Sequence, residues 1–257
     1  MWPEIASLGP FTIHSYGLLV ALGVFAALFG MGRSARRTGF PPPSRVADLV
    51  FVAVFSGFLG ARVFYVIQEW PFYRENPLAV FKIWEGGVIF SGGMIGAIAG
   101  LFLYSRTART PFLASLDFTI TYVPLVHAFG RVGCFLNGCC YGKPCDLPWA
   151  VQFPLLDRPV HPTQLYEAAF NLGLFGFLYW FYSRRRFTGQ VTALYFLVYP
   201  AGRFFLEFLR ADQPVISGLT LQQPLSLIFI LGAAGLYEFC RGKKFPLPSR
   251  PAGKLDG

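Results

Sequence analysis

Seven long apolar stretches, separated by short joints rich in Arg, Lys, Pro and Gly, dominate this chain. They run approximately over Ile13–Met31, Val46–Ile67, Val88–Tyr104, Phe112–Phe129, Leu165–Tyr182, Val191–Leu209 and Leu219–Phe239. Each is about as long as an α-helix must be to cross a hydrocarbon core of ~30 Å. Of the 257 residues, 54% are hydrophobic and 14% charged, whereas soluble domains carry roughly 25% charged residues. That leaves too little polar surface to face water, so the sequence predicts an all-α integral membrane protein with about seven transmembrane helices. The first stretch runs on too long for the core of a cleaved signal peptide, and Met1–Pro10 has no basic residue before it.

A net charge of +9 invites a nucleic-acid reading, but the cations sit in the joints between apolar stretches. One alternate set of joints holds Arg33, Arg36, Arg37, Arg45, Arg106, Arg109, Arg184, Arg185, Arg186, Arg241, Lys243, Lys244, Arg250 and Lys254. The other holds only Arg74, Lys82, Arg131, Lys143, Arg158 and Arg210. Cytoplasmic joints carry the excess of Lys and Arg. This predicts an N-terminus outside, a cytoplasmic C-terminus, and outward (periplasmic) placement for the two longest joints, 68–87 and 130–164. No internal repeat is evident. Residues 1–240 read as a single polytopic membrane domain and 241–257 as a basic cytoplasmic tail.

An ionisable residue at the centre of a membrane helix costs about 2.5–3.5 kcal/mol on insertion scales and is a functional candidate for that reason. Asp48, Arg62, Asp117, Glu167, Arg203, Glu207 and Glu238 fall inside the stretches. Asp48, Asp117 and Glu238 are expected near cytoplasmic ends, within reach of water. The sixth stretch ends R-F-F-L-E-F-L-R. It places Arg203 and Glu207 at i, i+4, with Arg210 three residues on, all on one helical face. They form either a self-neutralising pair or an arginine aimed at a lipid phosphate and oriented by Glu207. Arg62 sits beside Gly57, Gly60 and Ala61, where small residues permit close helix packing. Glu167 is expected to face a polar cavity or to pair with Arg62.

The stretch His127–Gly142, H-A-F-G-R-V-G-C-F-L-N-G-C-C-Y-G, follows the fourth apolar block at its outer end. Its glycines let backbone approach a ligand, and Arg131 offers a fork of donors suited to phosphate. Cys134, Cys139, Cys140 and Cys145 are spaced C-x4-C-C-x4-C, with Cys240 alone near the cytoplasmic end. At an oxidising surface, disulfides such as Cys134–Cys139 or Cys140–Cys145 would rigidify the loop. Apolar packing or a thiol redox relay are the other readings. Zinc usually takes well-separated C-x2-4-C pairs, which makes metal a minor reading of the cluster, and no metal ligand is assigned.

Five motifs in order make the chain similar to the bacterial prolipoprotein diacylglyceryl transferase family. They are I-H-S-Y-G-L (13–18), G-A-R-V-F-Y (60–65) leading into N-P-L-A-V-F-K-I-W-E-G-G (76–87), G-R-V-G-C-F-L-N-G-C-C-Y-G (130–142), H-P-T-Q-L-Y-E-A (161–168) and G-R-F-F-L-E-F-L-R (202–210). The resemblance implies transfer of diacylglyceryl from phosphatidylglycerol to the thiol of a lipobox cysteine in the signal peptide of a prolipoprotein. A thioether forms, glycerol phosphate is released, and the enzyme is a multi-pass protein of the bacterial inner membrane that uses no cofactor or metal. It places the family's functional arginines on Arg131 and Arg203, and its Tyr-Gly tyrosine on Tyr16.

With this resemblance the candidate catalytic residues are Arg131, Arg203, Glu207 and His161. Tyr16, Arg62, Ser91, Gly92, Gly93, Asn137, Gly142 and Arg210 are the candidate substrate-binding residues. The chain departs from the family pattern where Cys134 replaces a common asparagine, Cys139 a glutamate, and Ser91 a histidine proposed as a base. Serine is a poor base without activation, which leaves His161, Glu207 and His127 as candidates. His161 also fits a structural role, since Pro162 suits the first turn of a helix and Thr163 or His161 could cap it. Two other readings stand beside the transferase: a membrane thiol oxidoreductase built on the cysteine cluster, and a non-catalytic phospholipid-binding paralogue.

Overall fold

In hydrocarbon every backbone N–H and C=O must be satisfied within the chain, and a helix does this locally. A computed structural model, which describes residues 4–8, 11–82, 86–154, 156–211, 215–216, 219–243 and 245–248, places a helix on each apolar stretch. The helices are α1 (Ser15–Thr38), α2 (Val46–Gln68), α3 (Trp70–Glu75), α4 (Phe90–Thr107), α5 (Phe112–Ile120), α6 (Val123–Asn137), α7 (Thr163–Tyr182), α8 (Gln190–Glu207) and α9 (Gln222–Lys243). Among the described residues, four helical segments are long and apolar enough to cross a membrane by length and composition. They are Ser15–Thr38, Pro43–Gln68, Phe112–Asn137 and Gln222–Lys243. The outer faces of the first, second and last of these expose Phe25, Phe29, Phe51, Phe55, Ile228 and Leu231, while Phe112–Asn137 is largely buried. Large apolar side chains exposed in such numbers belong against lipid.

The structure departs from the sequence reading in four places. Two short hairpins join the helices: β1 (Glu4–Leu8) with β2 (Phe11–His14), and β3 (Val215–Ile216) with β4 (Leu219–Thr220). The seventh stretch therefore opens as a strand and becomes helical only at Gln222. The joint 68–87 contains α3 and a 3-10 turn, Pro77–Phe81, each with a proline in its first turn, where its missing N–H costs nothing. The fourth stretch breaks between Ile120 and Val123 ahead of Pro124, and then runs on as α6 to Asn137. Arg131 and Cys134 thus lie on a helix rather than in an outer joint, because nothing before Gly138 stops α6.

The chain forms two compact units, one of Met1–Arg33 with Ile120–Leu247 and one built on Ser34–Thr119. In the second unit α2 and α4 pack closely: a Cβ on Gly60 would collide with the carbonyl oxygen of Gly92. Gly92 and Gly93 form this contact surface. Arg62 is buried, and its guanidinium donates to the carbonyls of Ala79 (2.9 Å), Val80 (3.0 Å), Lys82 (3.3 Å), Gly86 (2.6 Å) and Gly87 (3.0 Å). One side chain gathers the second half of the joint and supplies its carbonyls with donors they would otherwise lack. Asp48 accepts from Tyr104 at 3.2 Å and is exposed, as expected. Asp117 is not within reach of water but fully buried.

In the first unit the helices are apolar outside and polar within. Gln164, Glu167 and Asn171 of α7, Thr192, Arg203 and Glu207 of α8, and Gln223 and Ser226 of α9 are all buried. Of the basic tail, Arg241 and Lys243 extend α9, and Arg241 pairs with Glu238 at 2.7 Å on an exposed face. Thr188 binds the carbonyls of Phe245 (3.1 Å) and Pro246 (2.6 Å). Lys244, Arg250 and Lys254, like Glu85 of the second motif, lie outside the described residues.

Candidate functional site: buried arginines on α6 and α8

Burying a charge is costly unless it is paired and hydrogen-bonded, so the partners of each buried arginine define the site. Arg131 projects from α6, and its Nε lies 3.1 Å from Oε1 of Glu167 on α7. The same oxygen is 3.5 Å from Nε2 of His127, one helical turn before Arg131. It also accepts a 3.3 Å hydrogen bond from the hydroxyl of Tyr199 on α8. Tyr199 stacks on Tyr195 with ring centroids 5.5 Å apart and rests against His127 at 5.2 Å. Glu167 therefore pairs with Arg131, not with Arg62.

On α8, Arg203 and Glu207 form the i, i+4 ion pair that the spacing predicts, with Nη2 to Oε2 at 2.7 Å. The other oxygen of Glu207 accepts from Thr220 Oγ1 at 2.9 Å. With both oxygens engaged, Glu207 positions Arg203. Nη1 of Arg203 is buried and has no hydrogen-bond partner among the described residues. A guanidinium has donors to spare, and this one holds a buried N–H in reserve. The positive charges of Arg203 and Arg210, like that of Arg131, reach Glu167.

Arg210 does not continue the face of Arg203 and Glu207. Helix α8 ends at Glu207 and tightens into i→i−3 bonds, with Arg210 N donating to Glu207 O at 3.2 Å. The carbonyls freed at a helix end need donors, and Leu209 O finds one in Lys143 N at 2.8 Å. Arg210 and Gly142 then form a β-bridge. A side chain at Gly142 is not possible without movement. Its Cβ would stand 2.6 Å from Leu209 O and 2.7 Å from both His161 Cβ and Thr163 Cγ2.

The loop between these elements begins at Gly138, which closes α6 in the left-handed region at φ 73°. A glycine there carries no Cβ penalty. Cys139 N then returns to Cys134 O at 3.2 Å, and Cys140 adopts φ 65°. Thr163 Oγ1 donates to Cys140 O at 3.0 Å and Gln164 Nε2 to Cys139 O at 2.6 Å. The Thr163 hydroxyl is thus spent on this loop and does not cap α7, which starts after Pro162 with no side-chain cap. The neighbouring Cys134 and Cys139 thiols, together with the charges of Arg210 and Arg131, hold the Cys140 thiol below its ordinary range. All five cysteines are free thiols. Asn137 is exposed at the end of α6, beside the Cys139 thiol.

The structure thus groups Arg131, Arg203, Glu207, Arg210, Asn137, Gly142 and the loop cysteines in the first unit. Tyr16 joins them from α1: a Cβ on Gly133 would meet Tyr16 Cα at 3.0 Å, and the Tyr16 phenol is within electrostatic range of Arg131 and the three clustered cysteines. His161 turns elsewhere, with Nδ1 3.3 Å from the Tyr166 hydroxyl, which accepts from Trp149 at 2.7 Å. Arg62, Ser91, Gly92 and Gly93 belong to the second unit, where Ser91 is exposed on the first turn of α4. Sequence reasoning missed Tyr199 and left Glu167 without its partner. A carboxylate inside an apolar stretch was the available signal for Glu167. A tyrosine in an aromatic-rich helix gave none.

The fold and site define a helical membrane protein whose interior holds paired arginines and glutamates beside a cysteine-bearing turn. The chain belongs to the family described as prolipoprotein diacylglyceryl transferase, whose pattern matches residues 3–238. A phosphatidylglycerol–prolipoprotein diacylglyceryl transferase of Bordetella parapertussis is 39% identical over 248 residues, covering 92% of this chain and 94% of that protein. Proteins of the same name from Fervidobacterium nodosum and Thermosynechococcus vestitus are 36% and 34% identical, each covering 93% of this chain, and 85% and 93% of their own lengths.

Proposed function

We propose that this protein transfers the diacylglyceryl group of phosphatidylglycerol to the thiol of a lipobox cysteine in a prolipoprotein. The thiolate attacks the glyceryl carbon, the carbon–oxygen bond to phosphate breaks, and glycerol phosphate leaves with one more negative charge than the diester carried. A water-poor site with fixed cationic donors favours that charge development most. The observation that carries this reading is the buried Nη1 of Arg203, unpartnered among the described residues and held in place by Glu207. Arg131, fixed by Glu167, supplies a second guanidinium, while Arg210, Asn137 and Tyr16 bound the same site.

In this reading the chain is a seven-span protein of the bacterial inner membrane. Its N-terminus and the Cys134–Cys145 region lie on the outer side, and its basic tail is cytoplasmic. The excess of Lys and Arg in alternate joints supports this orientation.

The test is direct. Purified protein is mixed with phosphatidylglycerol and a synthetic lipobox peptide, and the thioether and glycerol phosphate are sought by mass spectrometry. A product with the cysteine peptide and none with its serine analogue is expected. No product, where another member of the family works under the same conditions, would overturn the assignment.

A further inference from the structure

The turn after α6 does something the linear spacing hides. It brings the Sγ atoms of Cys134, Cys139 and Cys140 within 4.8 Å of one another, and no fourth His, Cys or carboxylate joins them among the described residues. A tetrahedral zinc ion with Zn–S bonds of about 2.3 Å needs sulfurs about 3.8 Å apart, within reach of small side-chain rotations. The backbone under the cluster is fixed before any ion arrives. Cys140 is held at φ 65°, Thr163 and Gln164 grip the carbonyls of Cys140 and Cys139 at 3.0 and 2.6 Å, and Cys139 N is tied to Cys134 O at 3.2 Å. All three thiols are partly accessible, so an ion can enter.

We propose that Cys134, Cys139 and Cys140 bind one thiophilic d10 cation, Zn2+, and that its open fourth position takes the acceptor thiol. Three protein ligands and one open position mark a catalytic zinc site, whereas structural sites close all four. Three thiolates around Zn2+ carry a net charge of −1, and a fourth makes it −2. The positive charges of Arg131 and Arg210 reach Cys140, and they complement such an anionic complex.

This deepens the transferase reading and rests on it, because it gives the acceptor proton a destination. A thiol that coordinates the ion is deprotonated, and its proton passes to water. The bound thiolate then attacks the glyceryl carbon, the carbon–sulfur bond forms as the carbon–oxygen bond breaks, and the negative charge moves onto the departing phosphate. The thioether product is neutral and a weaker ligand, so it leaves the ion. No side-chain base is required, which fits a site where both oxygens of Glu207 are engaged and His161 is turned to Tyr166.

The experiment uses the full-length protein in detergent with phosphatidylglycerol. After loading with Zn2+ and removal of excess, elemental analysis is expected to find one zinc per chain. Zinc is expected to protect three of the five thiols from alkylation, as read by intact mass. Cys134→Ser, Cys139→Ser and Cys140→Ser should each weaken zinc binding at least 100-fold, while Cys145→Ser and Cys240→Ser leave zinc content unchanged. With Co2+ in place of zinc, the thiolate charge-transfer absorbance should shift when the lipobox peptide is added and stay constant with its serine analogue. Folded wild-type protein without stoichiometric zinc, or without thiol protection, would overturn the metal site. A cobalt spectrum indifferent to the cysteine peptide would overturn the fourth-ligand role. Thioether formation that survives metal removal would sink the zinc proposal and leave the transferase reading standing. Stoichiometric zinc and a responsive cobalt spectrum without thioether product would do the reverse.

Discussion

Glu167 on α7 holds the guanidinium of Arg131 on α6 at 3.1 Å, with the Tyr199 hydroxyl donating to the same carboxylate oxygen at 3.3 Å. Three helices therefore meet on one oxygen atom. Removing one partner of a buried ion pair leaves an uncompensated charge and typically costs about 3–5 kcal/mol. Glu167→Gln keeps the shape and part of the hydrogen bonding. It is expected to destabilise the purified protein by about 3 kcal/mol in denaturant titration and to cut transfer at least 100-fold. Wild-type stability in Glu167→Gln would show that Arg131 finds its support elsewhere.

Tyr199 bears on the same oxygen through one neutral donor, a contact worth about 0.5–1.5 kcal/mol. Tyr199→Phe should therefore slow transfer only about 3- to 10-fold, measured as thioether formed per minute. A loss as deep as that of Arg131→Ala would give Tyr199 a direct part in the chemistry.

Much of this was legible in the chain. The apolar stretches marked the helices to within a few residues except at the C-terminal ends of α1, which runs on past Met31 to Thr38, and of α6, and R-F-F-L-E foretold the Arg203–Glu207 pair because i, i+4 neighbours share a face. The end of α6 was not legible, because an apolar stretch was counted as ending at Phe129 while helical hydrogen bonding continued to the stop at Gly138. Arg210 was placed on a helix that had already ended, since the pull of Lys143 N on Leu209 O is a contact between segments far apart in sequence. The cysteine cluster shows the same limit. C-x4-C-C does not look like a ligand set until two left-handed residues, Gly138 and Cys140, fold the chain back on its own helix.

Gly142 tests that long-range packing. A methyl group there must displace Leu209 O, His161 Cβ or Thr163 Cγ2, all within 2.7 Å of its ideal position. Overpacking of this kind costs about 1–3 kcal/mol, and here it would also move the Gly142–Arg210 bridge. Gly142→Ala is expected to insert into the membrane and lose at least nine-tenths of its activity. Full activity would mean that the bridge can shift without consequence.

Arg62 serves the second unit through five carbonyls. Lysine keeps the charge but not the planar fork, so Arg62→Lys should lower the yield of protein recovered from membranes and speed proteolysis within 76–87. Unchanged yield and protease resistance would show that the charge alone suffices.

The central claim is that the reserve N–H of Arg203 receives the lipid phosphate, and the rate of thioether formation from phosphatidylglycerol in Arg203→Ala and Arg203→Lys measures it most directly. Each rate is normalised to correctly inserted protein. Arg203→Ala should fall at least 1,000-fold. Arg203→Lys should recover little, because an ammonium cannot bridge Glu207 and a phosphate in the same plane. Turnover within about threefold of wild type in Arg203→Ala would contradict the claim outright.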